Sequence, residues 1–191
     1  NGSDGSGIDI DFSSPTLNRM TIRDNYGSGL GGGIRIYYSS PTLNHVTITG
    51  NSTGWVGGGI SIIGFDISPI LTHVTITNNT AGTGGSGGVY LQGGVDPVFV
   101  NSIVWGNING DIGNLGSSMA PVFRFSDIGG GWTGEGNIDS DPLFSDPENG
   151  DFTISPASPC ADAGTAYFEH DGEIILDLDP SEYNSLAPDM G

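Results

Sequence analysis

The chain has 191 residues, of which 34 are glycine, 22 are acidic, 4 are arginine and none is lysine; 35% are apolar and the formal charge is −18. Its length fits one domain, yet low hydrophobicity with this much charge reads, on composition alone, as disorder. Nucleic acid and anionic membrane surfaces are excluded as partners because phosphates are bound through Lys and Arg, and membrane insertion is excluded because no apolar run approaches ~18 residues.

The opening Asn1-Gly2-Ser3-Asp4 is not the basic and apolar start of a targeting peptide, which points to a processed end or an excised piece. From residue 7 the chain repeats. Gly7-Ile8-Asp9-Ile10 leads to Ser14-Pro15-Thr16-Leu17, and Gly33-Ile34-Arg35-Ile36 leads to Ser40-Pro41-Thr42-Leu43. Two further copies run from Gly59-Ile60-Ser61-Ile62 to Pro69-Ile70-Leu71 and from Gly88-Val89-Tyr90-Leu91 to Pro97-Val98-Phe99, and a weaker fifth passes through Pro121-Val122-Phe123. Each of the first four ends on a second short alternation: Met20-Thr21-Ile22, Val46-Thr47-Ile48, Val74-Thr75-Ile76 and Ile103-Val104-Trp105.

Alternating β-branched residues predict strands. Three are expected per copy, near residues 33–37, 41–43 and 46–49, with bends at Ser39/Ser40 and Asn44/His45. Such short strands bury a face only when successive copies stack, so the expected fold is an all-β parallel coil with 24–28 residues per turn. Its interior columns are Ile8/Ile34/Ile60/Val89, Ile10/Ile36/Ile62/Leu91, Leu17/Leu43/Leu71/Phe99 and Met20/Val46/Val74/Ile103. A structural ladder of Asn25, Asn51, Asn79 and Asn107 follows the third strand, where asparagine tolerates a left-handed bend and stacked amides bond along the axis. Residues 1–126 form the coils and residues 127–191 an irregular, acidic closing segment of the same domain.

The run Ser-Pro-Thr-Leu-Asn-His-Val-Thr-Ile-Thr-Gly-Asn at residues 40–51 resembles the repeat of secreted right-handed parallel β-helix proteins, the broad bacterial branch of the pectate-lyase-like superfamily. Residues 138–144, 150–154, 158–164 and 188–191 are similar to that branch's closing segment. The resemblance implies a right-handed coil and an extracellular, bacterial setting. Members often carry a third-strand cysteine able to partner one placed like Cys160; here Met20, Val46 and Val74 fill that column, so no such bridge is expected. Cys160 is the only cysteine, which leaves no disulfide framework and no C-x-x-C zinc spacing.

The superfamily's enzymes act on acidic polysaccharides, and the residues offered for that chemistry are few. Outward first-strand positions read Asp9, Arg35, Ser61 and Tyr90, without an Asp-Asp pair. Arg35 and Tyr90, with Trp55 and Trp132 as stacking rings, are candidate glycan contacts. His45 and His73 lie one strand spacing apart in a column with Arg19 and Asn101, a candidate ligand-binding pair, and solvated ladder residues are the plainer reading. Thr47-Ile48-Thr49 and Thr75-Ile76-Thr77 suggest a hydroxyl array of the ice-binding kind, interrupted by Arg23 and Trp105. The loops 27–33, 54–59 and 82–88 are too glycine-rich for anything but tight passage back to the first strand, and no Lys-Ser/Thr follows them to hold phosphate. Asp139, Asp141, Asp146, Glu148 and Asp151 are the candidate ligands of a structural Ca²⁺.

Both coil ends are expected to be open, and an uncovered parallel edge recruits another strand. The expected function is therefore an extracellular structural or adhesive surface module. It would stack end to end into a fibre or onto neighbouring domains. The alternative is a polysaccharide-binding or polysaccharide-degrading domain.

Overall fold

The computed structural model describes residues 7–82, 84–114, 120–183 and 186–191. The repeat is a parallel β-solenoid of about four turns. Its first sheet stacks β1 (Ile8–Asp11), β4 (Ile34–Tyr37), β7 (Ile60–Ile67), β9 (Val89–Val95) and β12 (Ile112–Asn114) in that order. The second is built from β2 (Thr16–Arg23), β5 (Thr42–Thr49) and β8 (Ile70–Thr77), continued by β10 (Val98–Val100) with β11 (Ile103–Trp105), then β13 (Val122–Arg124) with β14 (Asp127–Ile128). A short third wall holds β3 (Tyr26–Gly27) and β6 (Ser52–Thr53).

Like residues pair with like, as the repeat predicts: Ile8, Ile34, Ile60 and Val89 are partners in turn, and so are Leu17, Leu43, Leu71 and Phe99. Between the ends this column core is closed, with Ile34, Ile60, Leu43 and Leu71 fully buried. A chain that is only about one third apolar thus builds a continuous interior, because each turn needs few inward side chains.

The expected second and third strands are one strand in β2, β5 and β8, bent in the middle. The bend is made by a single residue in the left-handed region: Arg19 (φ 52°), His45 (φ 52°), His73 (φ 51°), Asn101 (φ 50°) and Phe125 (φ 49°), one per turn. The bend at Asn44/His45 is thus confirmed and reduced to one residue.

Two columns differ from expectation. Ile103 pairs with Thr75, not Val74, so Ser102 fills the inward place and Ile103 faces outward. The main-chain N–H of Val74 donates to Ser102 Oγ at 3.1 Å, and that of Ser102 to Ser126 Oγ at 3.1 Å, so a hydroxyl ladder replaces aliphatics there. The asparagine ladder forms, but the left-handed residues are those just before it: Asp24, Gly50, Asn78 and Gly106. The asparagines serve the ladder alone.

Asn51 and Asn79 are fully buried. The Asn51 amide donates to Asn79 Oδ1 at 3.0 Å, and that of Asn79 to Asn107 Oδ1 at 2.9 Å. The same nitrogens reach main-chain oxygens of Ile22 and Ile48 in the preceding turn. The Asn107 amide ends the series on the Asp111 carboxylate at 2.7 Å. Gly59 shows why the first strand opens on glycine: a methyl there would lie 2.8 Å from the Ile76 side chain and 3.1 Å from Asn79 Nδ2.

The closing segment contributes two antiparallel hairpins, β15 (Phe144–Asp146) with β16 (Asp151–Ile154) and β17 (Tyr167–His170) with β18 (Glu173–Asp177). It folds back over the outside of the second sheet. Ile103, outward by its register, is buried there with Cys160 and Met190, and Val98 and Val100 are buried with Leu176.

The two ends of the solenoid differ. At the far end Trp132 packs against the core, 4.9 Å from the Phe123 ring, and Phe123 itself stacks on Phe99 at 4.5 Å. The backbone there is satisfied too: Phe125 N–H donates to Glu135 O, and Ile128 N–H to Ile138 O. At the near end the inward residues Ile8 and Leu17 are only half-buried and Met20 is 38% exposed, although their partners one turn on are buried.

Candidate functional site

The most developed polar constellation lies where the closing segment meets the bend column. The His45 and His73 rings stack 4.6 Å apart and within 10° of parallel, one strand spacing as the repeat predicts. Asn101, next in the column, is the hub: Thr165 N–H donates to its Oδ1, and its Nδ2 donates to Thr165 O, both at 2.8 Å. Gly191 N–H donates to Asn101 O at 2.8 Å. With its amide oriented this way, Asn101 Nδ2 also donates to His73 Nε2 at 3.1 Å.

His73 Nε2 is therefore an acceptor and the neutral ring carries its proton on Nδ1, which has no hydrogen-bond partner among the described residues. Neither nitrogen of His73 is left to ligate a metal. Burial, reinforced by His45, holds the His73 pKa down at about 4. Burial and then Arg19 lower that of His45, whose Nδ1–H donates to Asn44 Oδ1. Arg19, His45 and His73 line one wall of a cleft of about 380 Å³, with Glu182 and Asp189 on the other side.

A second polar contact pins the closing segment deeper. Asp127, fully buried, accepts from Ser140 N–H at 3.2 Å through Oδ1, and the Cys160 thiol donates to its Oδ2 at 3.2 Å. Burial raises the Asp127 pKa to about 6 against these two bonds, with Asp139 and Asp141 adding repulsion. Burial, followed by the Asp127 charge, pushes the Cys160 thiol far up, so it stays a protonated donor. Cys160 thus does meet the third-strand column, at Ile103 and Asp127, through packing and a hydrogen bond.

The first-strand face is differently disposed. Arg35 is tied to Asp9 at 2.6 Å, with its guanidinium 4.5 Å above the Tyr37 ring. Tyr90 is only 5% exposed, and Trp132 serves the end plug, whereas Trp55 is 59% exposed. The structure does not bring these four together as a glycan face. The exposed rings that it does align are Phe12, Tyr38 and Phe65, at the bends after successive first strands. Phe12 and Tyr38 stack at 5.4 Å, so each covers a face of the other. The pattern reading passed over them because their spacing follows the bends, not the strands.

The acidic candidates are spent singly on local turns. Asp139 accepts from Gly130 N–H, Asp141 from Leu143 N–H, Asp146 from Asn149 Nδ2, and Asp151 from Thr153 N–H and Oγ1–H; Glu148 lies in a one-turn helix between β15 and β16. Among the described residues no three His, Cys, Asp or Glu side chains gather closely enough to hold a metal ion. A calcium ion there would have to draw mainly on main-chain carbonyls.

The threonine rows keep their register, Thr21 to Thr47 to Thr75 and Arg23 to Thr49 to Thr77. They are not an open plane: the β15–β16 hairpin and residues 189–191 stand beside them and leave a groove of about 470 Å³. Comparison with protein-family models, characterised proteins and solved structures gives no match.

Proposed function

We propose that the chain is an extracellular structural or adhesive module whose first turn joins another β-coil. The observation that carries this reading is the inequality of the ends. Trp132 and residues 135–138 complete the far end, whereas β1 and β2 present a parallel edge with half-exposed inward residues and a Phe12 ring that is 72% exposed. Such edges add strands unless something blunts them. A further turn would bury Leu17 and Met20 and continue the aromatic stack over Phe12. The resemblance of the repeat to secreted bacterial β-helix proteins supports the setting. The pairing of Arg35 with Asp9 and the burial of Tyr90 favour a module over a polysaccharide-degrading enzyme.

Because one end is plugged, self-association through these edges joins first turn to first turn. That contact is isologous and closes at two copies, unlike a head-to-tail fibre. Sedimentation equilibrium is expected to show a monomer–dimer equilibrium that Met20→Glu, a charge set on the edge, abolishes without lowering the melting temperature. A monomer at every concentration overturns self-stacking, and so does a dimer indifferent to Met20→Glu.

A further inference from the structure

We infer that the groove between the threonine rows and the β15–β16 hairpin is a binding site for an extended, neutral oligosaccharide. This does not rest on the stacking of the first turn. The floor is made by Thr21, Thr47 and Thr75, successive partners across β2, β5 and β8, with Thr49 beside them. Asp151 and Phe152 of β16 form part of the facing wall. Thr21 is exposed, Thr47 half-buried and Thr75 only 6% exposed, so the groove deepens along the solenoid axis until Ile103 ends the row.

Thr49 is likewise 6% exposed. The hydroxyls of Thr49 and Thr75 bond no other group among the described residues, although both line the groove. A buried hydroxyl left unpaired is a cost that folding normally avoids. Here a ligand with hydroxyls of its own would remove it.

The spacing and the charge select the ligand class. Hydroxyls on neighbouring parallel strands repeat at about 4.8 Å, the step at which an extended chain of β-linked hexoses presents successive rings. A peptide lying along the same axis advances about 3.3 Å per residue and falls out of register with the rungs. Each threonine also offers a methyl group, and Phe152 offers an aromatic face; both suit the mixed polar and apolar surface of a sugar. Only one cation lines the groove, Arg23, and it is paired with Asp24 at 2.9 Å. The carboxylates of Asp151 and Asp189 lie in the same groove, and the chain carries −18 overall. A polyanionic glycan would be repelled.

The test uses the whole chain with cellohexaose and mannohexaose as neutral probes and an oligogalacturonate as the acidic one. Threonine-methyl NMR is expected to show saturable shifts at Thr21, Thr47 and Thr75 with at least one neutral hexasaccharide, and none there with the oligogalacturonate. The double variant Thr47→Val/Thr75→Val keeps the branched shape and loses two hydroxyls, so affinity should fall roughly thirtyfold, as expected for two hydrogen bonds. No shift with either neutral probe, tighter binding of the acidic one, or unchanged affinity in the variant overturns the inference. The shifts are read on the unaltered chain, so the test stands even where the variant folds poorly.

Discussion

At the scale of single residues, Asp127 and His73 carry opposite signs of the same cost. Both are buried at contacts between the solenoid and the closing segment, and burial disfavours the charged form of each. Asp127 has a folded pKa of about 6 against 3.8 unfolded. Its contribution is fully present below pH 3.8 and is lost as pH rises through 6, because the folded state binds the extra proton in that window. His73 has a folded pKa of about 4 against 6.5 unfolded, so its contribution is present above 6.5 and lost as pH falls through 4. The windows overlap, each group amounts to roughly 1–3 kcal/mol, and between pH 4 and 6 the two slopes oppose. Asp127→Asn, which still accepts from Ser140 N–H, is expected to make stability rise more steeply with pH in this window. His73→Asn, whose new residue tolerates the left-handed φ of 51°, should make it fall. Denaturant midpoints measured at steps between pH 4 and 7 check both signs; two variants with the same slope as the parent would refute the assignment.

At the scale of elements, the columns decide what is costly. Asn79 occupies a middle rung of the ladder: its Oδ1 accepts from the main-chain N–H and the amide of Asn51, and its Nδ2 donates to Ile48 O, Thr77 O and Asn107 Oδ1. Asn79→Ala strands several buried partners at once and is expected to cost roughly 3 kcal/mol or more. Asn25→Ala, at the half-buried first rung, should cost under about 1 kcal/mol, and thermal unfolding of the pair measures the gradient. This ladder was legible in the sequence because a repeat of 26–28 residues displays every column that recurs unchanged, such as Ile34 over Ile60 or Asn51 over Asn79. What changes from turn to turn was not legible. Ile103 reads as the next aliphatic after Val74, and only the Ser102–Ser126 pair in the neighbouring column signals that the register places it outside. The closing segment has no repeat to align, so the burial of Asp127 against Cys160 and the roofing of the threonine rows follow from long-range packing alone. The histidine pair lay between these cases: its spacing was readable, but its tautomer depends on Thr165, far away in sequence.

At the scale of the whole molecule, the unequal ends make the solenoid directional, and Trp132 is the residue on which that direction turns. Its ring covers Phe123 at the last turn, and its main-chain O accepts from Asn137 Nδ2, which also donates to Phe123 O. Asn137 Oδ1 meanwhile accepts from Ser126 N–H and so ends the serine ladder begun at Ser102. The plug is therefore both apolar and polar, and its two parts fail differently. Trp132→Ala removes only the apolar part and uncovers the Phe123 ring; truncating a large aromatic on a core costs roughly 3 kcal/mol or more. Asn137→Ala removes the polar part, exposing the last edge while the indole remains. If the plug is what limits stacking to two copies, the double variant turns a closed contact into a repeating one, because a second copy's first turn can then follow the last turn of the first. Light scattering is expected to show growth beyond the dimer for the double variant, and Met20→Glu in that background should stop it at the other edge. Growth that survives Met20→Glu would place the contact elsewhere on the surface, and a dimer unchanged by the double variant would show that the far end never limited assembly.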